Sequence, residues 1–216
     1  MTGEAGAGVA VVILAAGGSS RMGRPKQLLS WRGKTLLRGI AESALASRAS
    51  RVVVVVGSRS ERIGRELDGL PVSTIENPTW EEGLGTSLAA GVRSLAGGST
   101  PPGAIVVLLA DQPLVTSASI DRLIETHDAT GSPLVASLHG SDPGVPALFA
   151  ASFFEALLAL RGDHGAREIL RENAAAAVLL DLPEARIDVD TAADWERLSG
   201  VGGTPEDPGP EGQARR

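Results

Sequence analysis

The chain has 216 residues, of which 43% are hydrophobic and 21% charged, enough apolar content for one sizeable domain with its own core and too short for two. Its net charge of −6 excludes a protein built around a basic face for nucleic acid, so the expected partner is a small molecule. With no cysteine, disulfide frameworks and thiolate metal sites are excluded as well.

Val9–Leu14 is an unbroken apolar run whose length suits a strand buried on both faces of a parallel sheet. It ends in Ala15-Ala16-Gly17-Gly18-Ser19-Ser20, where small side chains let a polyphosphate approach the backbone and its N–H groups. Arg21 then offers a fork of donors suited to phosphate, and Lys26, directly after Pro25, offers a mobile point charge. Of the 20 basic residues only Lys26 and Lys34 are lysine, so a lysine at this place is not compositional drift.

LAAGGSSRMGRPKQLL closely resembles the signature loop of the MobA-like nucleotidyltransferases, in the branch of molybdenum-cofactor cytidylyltransferase and xanthine-dehydrogenase accessory proteins. Neither the phosphate loop ending in Gly-Lys-Ser/Thr nor the G-x-G-x-x-G of dinucleotide folds has this spacing. The resemblance extends over about residues 9–198 and implies nucleotide contacts from Leu14, Ala15, Ala16, Gly17, Gly18, Ser19, Arg21 and Lys26.

Helical spacing over 35–48 is followed by a strand at 51–56, a short helix at 61–67 and a third strand at 72–75. This βαβαβ start predicts a doubly wound, mostly parallel Rossmann-like sheet in a three-layer α/β/α domain. Such folds bind ligands outside the carboxyl ends of their strands. The resemblance makes it the nucleotide-diphospho-sugar transferase type.

After the third strand come an Asn77-Pro78 turn and Gly85-Thr86-Ser87, ahead of a helix expected at 88–95. Either hydroxyl could cap that helix. In the resembled family this segment looks like the nucleotide-recognition loop, with Gly85 permitting close approach and Thr86 and Ser87 facing a base or ribose. The next buried strand, 104–110, runs into Asp111-Gln112-Pro113. That carboxylate either closes a turn or binds Mg²⁺, a hard ion served by one or two carboxylates plus phosphate oxygens and water. The family's ADQP motif supports the metal.

A helix is expected at 117–127 and a strand at 134–138, followed by Gly144-Val145-Pro146, read as a bend. A helix is then expected at 151–160, leading into Gly162-Asp163-His164-Gly165-Ala166-Arg167. By resemblance alone Gly144 and Pro146 border the acceptor. Arg167 either grips a terminal phosphate there or makes an ordinary ion pair at a helix start. The histidines have no partner spacing for zinc.

The last strands are expected at 176–181 and 185–189, the latter running into Asp188-Val189-Asp190-Thr191. Two carboxylates at i and i+2 of a strand share a face, so one would bind metal while the other orients it, unless Asp190 caps the following helix. The resembled pattern is Asp-Ile-Asp-Thr-Pro-Glu-Asp; here Ala192-Ala193 replace Pro-Glu, yet both aspartates stand. Asp190 is the expected second ligand and Asp188 its alternative.

The domain is thus expected over 9–198, between a flexible 1–8 and a Gly/Pro-rich disordered tail at 199–216. MTGEAGAG has no signal pattern and no apolar run reaches bilayer length, which predicts a cytoplasmic protein without membrane contact.

By resemblance, Ala-Ala-Gly-Gly-Ser accompanies cytosine rather than guanine transfer. The implied reaction moves CMP from CTP onto a terminal phosphate of a molybdopterin-type acceptor with Mg²⁺, and the implied protein partner is a molybdenum hydroxylase or dehydrogenase. Two rivals carry weight: a nicotinamide-dependent oxidoreductase on the same fold, like a relative acting on a nicotine pigment, and a non-catalytic molybdopterin-binding accessory protein.

Overall fold

The computed structural model describes residues 8–19 and 22–202. Its frame is a seven-stranded sheet in the order β5-β4-β1-β6-β8-β7-β9. The strands are β1 (Val9–Leu14), β4 (Arg51–Val56), β5 (Ser73–Glu76), β6 (Ala104–Leu109), β7 (Leu134–His139), β8 (Asp142–Ala150) and β9 (Ala177–Leu180), while β2 (Ser30–Trp31) and β3 (Lys34–Thr35) pair separately. β1 pairs in parallel with β4 and β6, and β4 with β5, whereas β8 runs antiparallel to both β6 and β7.

Alternation along the central strands builds two cores. Val11 and Ile13 of β1 join one apolar cluster and Ala10, Val12 and Leu14 the other. The first is covered by α1 (Leu36–Leu45), α2 (Ser60–Arg65) and α4 (Ser117–Thr130), the second by α3 (Leu84–Ala96), α5 (Phe154–Ala159) and α6 (Ala166–Glu172). A small third cluster joins Leu29 and Leu36 to Val189, Trp195 and Leu198, the last two on α7 (Ala192–Gly202). No described helix is long and apolar enough to cross a membrane.

Four local expectations are corrected. Gly144-Val145-Pro146 is part of β8, not a bend. Ser137 of β7 pairs with Gly144 and Ala136 with Ala147, so Val145 and Pro146 bulge out of register and the proline's lack of an N–H breaks no ladder bond. Residues 185–189 form no strand; Pro183 opens a 3-10 turn to Arg186, and the chain is then held to the sheet by Val189 N–H on the Asp111 carbonyl at 3.0 Å. α3 begins at Leu84, earlier than expected, so Gly85, Thr86 and Ser87 are helical. α7 continues to Gly202, past the expected start of the tail.

Candidate active site

The loop after β1 is shaped by its carbonyls. Leu14 O accepts from Ala110 N–H and Ala16 O from Ser58 N–H. The carbonyls of Ala15 and Gly17 both accept from the Gln27 side-chain amide, at 2.9 and 2.7 Å. Ser19, at φ 54°, donates its hydroxyl to Gln27 Oε1 and accepts Lys26 N–H on the same oxygen. With the carbonyls turned inward, Gly17 and Gly18 are exposed, and among the described residues their amides meet no protein acceptor. Amides left without a protein acceptor on an exposed glycine loop are groups that could receive an anion. Leu14, Ala15 and Ala16 are buried behind this loop. Arg21 lies outside the described residues.

Gln27, only 2% exposed, is a residue the sequence reading passed over. The signal was present: an amide side chain standing directly before the apolar Leu28-Leu29 has to find partners if it is buried. Trp80 was passed over too. Its ring packs so closely on Gly18 that an added Cβ would stand 3.1 Å from it, placing an aromatic edge beside the loop.

Pro25, at φ −62°, leads into a 3-10 turn that starts at Lys26. From there the Lys26 ammonium forms an ion pair with Asp111 Oδ2 and lies 2.8 Å from Asp190 Oδ1. Burial opposes the charge on Lys26, but the charges and hydrogen bonds of Asp111 and Asp190 outweigh it and hold its pKa above the ordinary lysine value. At the start of α7 Thr191 and Asp194 bond reciprocally: Thr191 Oγ1 accepts Asp194 N–H at 3.2 Å and Asp194 Oδ2 accepts Thr191 N–H at 2.8 Å. Asp188 does not share the surroundings of Asp190. One of its oxygens is buried, whereas the Asp190 side chain is 47% exposed. Burial first, then the charge of Asp111, pushes the Asp188 carboxyl above the usual carboxylate range.

The carboxylates suit a hard divalent cation. Asp111 Oδ1 and Asp188 Oδ1 are buried without a hydrogen-bond partner, and an all-oxygen donor set favours Mg²⁺ or Mn²⁺ over zinc. Among the described residues no three acidic or imidazole side chains enclose an ion. Sparse protein ligation is usual where phosphates and water complete the sphere of Mg²⁺.

The recognition segment departs from expectation. Asn77, 3% exposed, donates to Thr86 Oγ1 at 3.0 Å and Ser87 Oγ at 2.9 Å, and Thr86 Oγ1 in turn donates to the Gly83 carbonyl. Both hydroxyls are thus tied into a protein network rather than capping a helix. Gly85 is glycine because the 161–164 backbone crosses it: an added Cβ would stand 2.4 Å from His164 O.

Gly144 and Pro146 are buried, Gly144 against the His139 ring, so it is Val145 between them that meets the cleft. With Leu14, Leu84, Val107 and Leu109 it lines a cavity of about 240 Å³ at the carboxyl ends of β1 and β6. Asp163 and the exposed Arg167 give that cavity its charged rim, and among the described residues Arg167 makes no ion pair.

A glycine loop, a lysine and two carboxylates gathered at the carboxyl edge of a doubly wound sheet are features of a nucleotidyltransferase-type fold. The chain belongs to the family described as the MobA-like NTP transferase domain, whose model matches residues 11–178. It is 32% identical to the nicotine blue oxidoreductase of Paenarthrobacter nicotinovorans, over 87% of this chain and 94% of that one. It is also 32% identical to the purine catabolism protein PucB of Bacillus subtilis, with the same coverage of both chains. Among solved structures, Rv0371c of Mycobacterium tuberculosis superposes with a TM-score of 0.73 at 29% identity, over 88% of this chain and 97% of its own. The same protein is also known as a manganese complex, which matches with a TM-score of 0.69 at 24% identity over 88% and 97% of the two chains.

Proposed function

We propose that this protein is a Mg²⁺-dependent cytidylyltransferase that moves CMP from CTP onto a terminal phosphate of a molybdopterin-type cofactor and releases pyrophosphate. The observation that carries this reading is the convergence of Lys26 with Asp111 and Asp190 beside an anion-binding loop. Asp111, with Asp190 or Asp188, would hold the cation, which when bound supplies charge neutralisation to the nucleotide's phosphates. The amides of Gly17 and Gly18 bind the phosphate chain, and Arg21 takes the outer phosphates. The Lys26 ammonium stabilises charge on the phosphoryl group in transfer.

The acceptor's terminal phosphate is itself the nucleophile and pyrophosphate leaves as an anion, so no protein base is required. Positioning and electrostatics carry the catalysis, which suits a chain holding no cysteine nucleophile. Val145 and the aliphatic cavity receive the acceptor's body, with Arg167 at its charged end. The cytosine assignment rests on Ala15-Ala16-Gly17-Gly18-Ser19. A molybdenum hydroxylase acting in purine breakdown is a fitting client, in keeping with the name of PucB. We place the protein in the cytoplasm.

The similarity to nicotine blue oxidoreductase favours a second reading, reduction of a pigment with a nicotinamide cofactor. Against it stands the lack of a G-x-G-x-x-G turn. A molybdopterin carrier without catalysis is the third. Pyrophosphate release from CTP and molybdopterin, run beside NADPH oxidation with the pigment, separates the three. Pyrophosphate release dependent on both substrates supports the transferase, pigment-dependent oxidation supports the reductase, and binding without either supports the carrier.

A further inference from the structure

Resting on the transferase reading, one contact implies an order of events that the reading does not contain. The Lys26 ammonium is bonded to the Oδ2 of Asp111 and the Oδ1 of Asp190, the same carboxylates that suit a divalent cation. A divalent cation bound to those oxygens would stand next to the ammonium. Their mutual repulsion would be felt across a site whose Asp111 side chain is 11% exposed and poorly screened. We propose that Lys26 and the divalent metal exchange on Asp111 and Asp190. The metal enters with the nucleotide, because the phosphates on the loop are what re-house the displaced ammonium.

The local chemistry supports a side chain that swings while its root stays fixed. The Lys26 amide is anchored on Ser19 Oγ at 3.0 Å, which ties the start of the side chain to the loop that offers its outward amides to phosphate. Beyond that anchor the lysine is a flexible four-carbon stem with a rotatable ammonium. From one root the charge has two destinations, the carboxylates on one side and phosphate oxygens on the other. When the ammonium leaves, Asp111 offers Oδ2 together with Oδ1, which is buried and without a hydrogen-bond partner. Lys26 is thus an internal counter-ion that keeps free metal out and then follows the phosphates into the reaction.

The test is metal binding without turnover. Mn²⁺ alone is titrated into the wild-type protein, Lys26→Met and Lys26→Arg, followed by calorimetry or the loss of the free-ion paramagnetic signal. Lys26→Met should bind Mn²⁺ about tenfold or more tightly than wild type, the size of a neighbouring-charge effect on a carboxylate, and Lys26→Arg should not gain. Saturating CTP should tighten Mn²⁺ binding strongly in wild type and far less in Lys26→Met.

A measurement on the unaltered chain guards against a misfolded variant. Lys26 and Lys34 are the only lysines, so ¹³Cε-labelled lysine gives two resonances. The Lys26 signal should move when Mg²⁺ and CTP are added together, and barely with Mg²⁺ alone at the same concentration. Equal Mn²⁺ affinity in wild type and Lys26→Met, or a full shift with Mg²⁺ alone, would overturn the exchange. Tighter metal binding by Lys26→Met in a protein that binds no CTP would uphold competition for the carboxylates, overturn re-housing by phosphate and reject the transferase reading separately.

Discussion

Lys26 and Asp190 stand 164 positions apart in the chain, yet the lysine ammonium lies 2.8 Å from the aspartate Oδ1. The chain has to complete every layer of the fold before that pair can form. A contact of this length between a half-buried ammonium and a carboxylate constrains both ends of the sequence, and it frames what substitution should do.

Lys26→Ala should reduce pyrophosphate release about 10²–10³-fold in turnover, the usual loss for one electrostatic donor to a transition state. Nucleotide affinity should change much less. Lys26→Arg keeps the charge but spreads it over a flat fork, so it should recover binding and only part of the rate. Steady-state kinetics against CTP concentration measure both, and a rise in the Michaelis constant with unchanged turnover would make Lys26 a ground-state clamp.

Asp188 gives a pH signature. Its folded-state pKa lies above the ordinary value, from burial and then from the charge of Asp111. Such a group contributes its stability in full below the unfolded pKa and loses it as pH rises through the folded one. Asp188→Asn should therefore melt at a higher temperature than wild type at neutral pH in the absence of divalent cation. The two melting curves should converge as pH falls below about 4, where the carboxyl is protonated in both states. A variant that melts lower at neutral pH would refute the sign. Activity separates the two aspartates: if Asp190→Asn keeps full metal-dependent turnover while Asp188→Asn loses it, Asp188 is the second ligand.

Gln27→Met keeps volume and removes the amide that holds the Ala15 and Gly17 carbonyls. Leaving the buried Ala15 acceptor unpaired costs about 1–3 kcal/mol. Urea unfolding should register a loss on that scale, and CTP affinity should fall because the glycine amides are no longer held outward. Unchanged affinity in a folded variant would mean that the loop keeps its shape without Gln27.

Gly85→Ala should destabilise by about 1–3 kcal/mol, as overpacking does, because the obstruction is the His164 carbonyl rather than a yielding side chain. The 161–165 segment would be pushed outward, carrying the start of α6 and Arg167 with it. Thermal melts give the stability loss. If Gly85 served only as a ligand contact, the melt would be unchanged while CTP binding fell.

The sheet was legible in the sequence because its parallel strands are unbroken apolar runs, buried on both faces. Asp111 was legible because it follows such a run, Lys26 because it follows the glycine-rich turn, and Asp190 because it stands in a segment of two aspartates two positions apart. What escaped was set by pairing. Gly144-Val145-Pro146 looks like a bend because glycine and proline are strand-poor, and only the register slip against β7 explains how they fit. Thr86 and Ser87 look like free hydroxyls until Asn77 is seen to bind both. Asp188 and Asp190 look like neighbours on one strand face, but no ladder imposes a two-residue period on them.

The third apolar cluster divides the site into parts of different allegiance. Leu29, Val189, Trp195 and Leu198 belong to that cluster, which thereby flanks both the turn that starts at Lys26 and Asp190, while Asp111 lies in the turn after β6 of the main sheet. The candidate centre therefore lies where this small cluster meets the main sheet, stitched by the Val189 amide on the Asp111 carbonyl. A shallow Trp195 or Leu198 substitution would leave the sheet intact and still misalign the seam, so distant repacking in α7 acts on rate before it acts on folding.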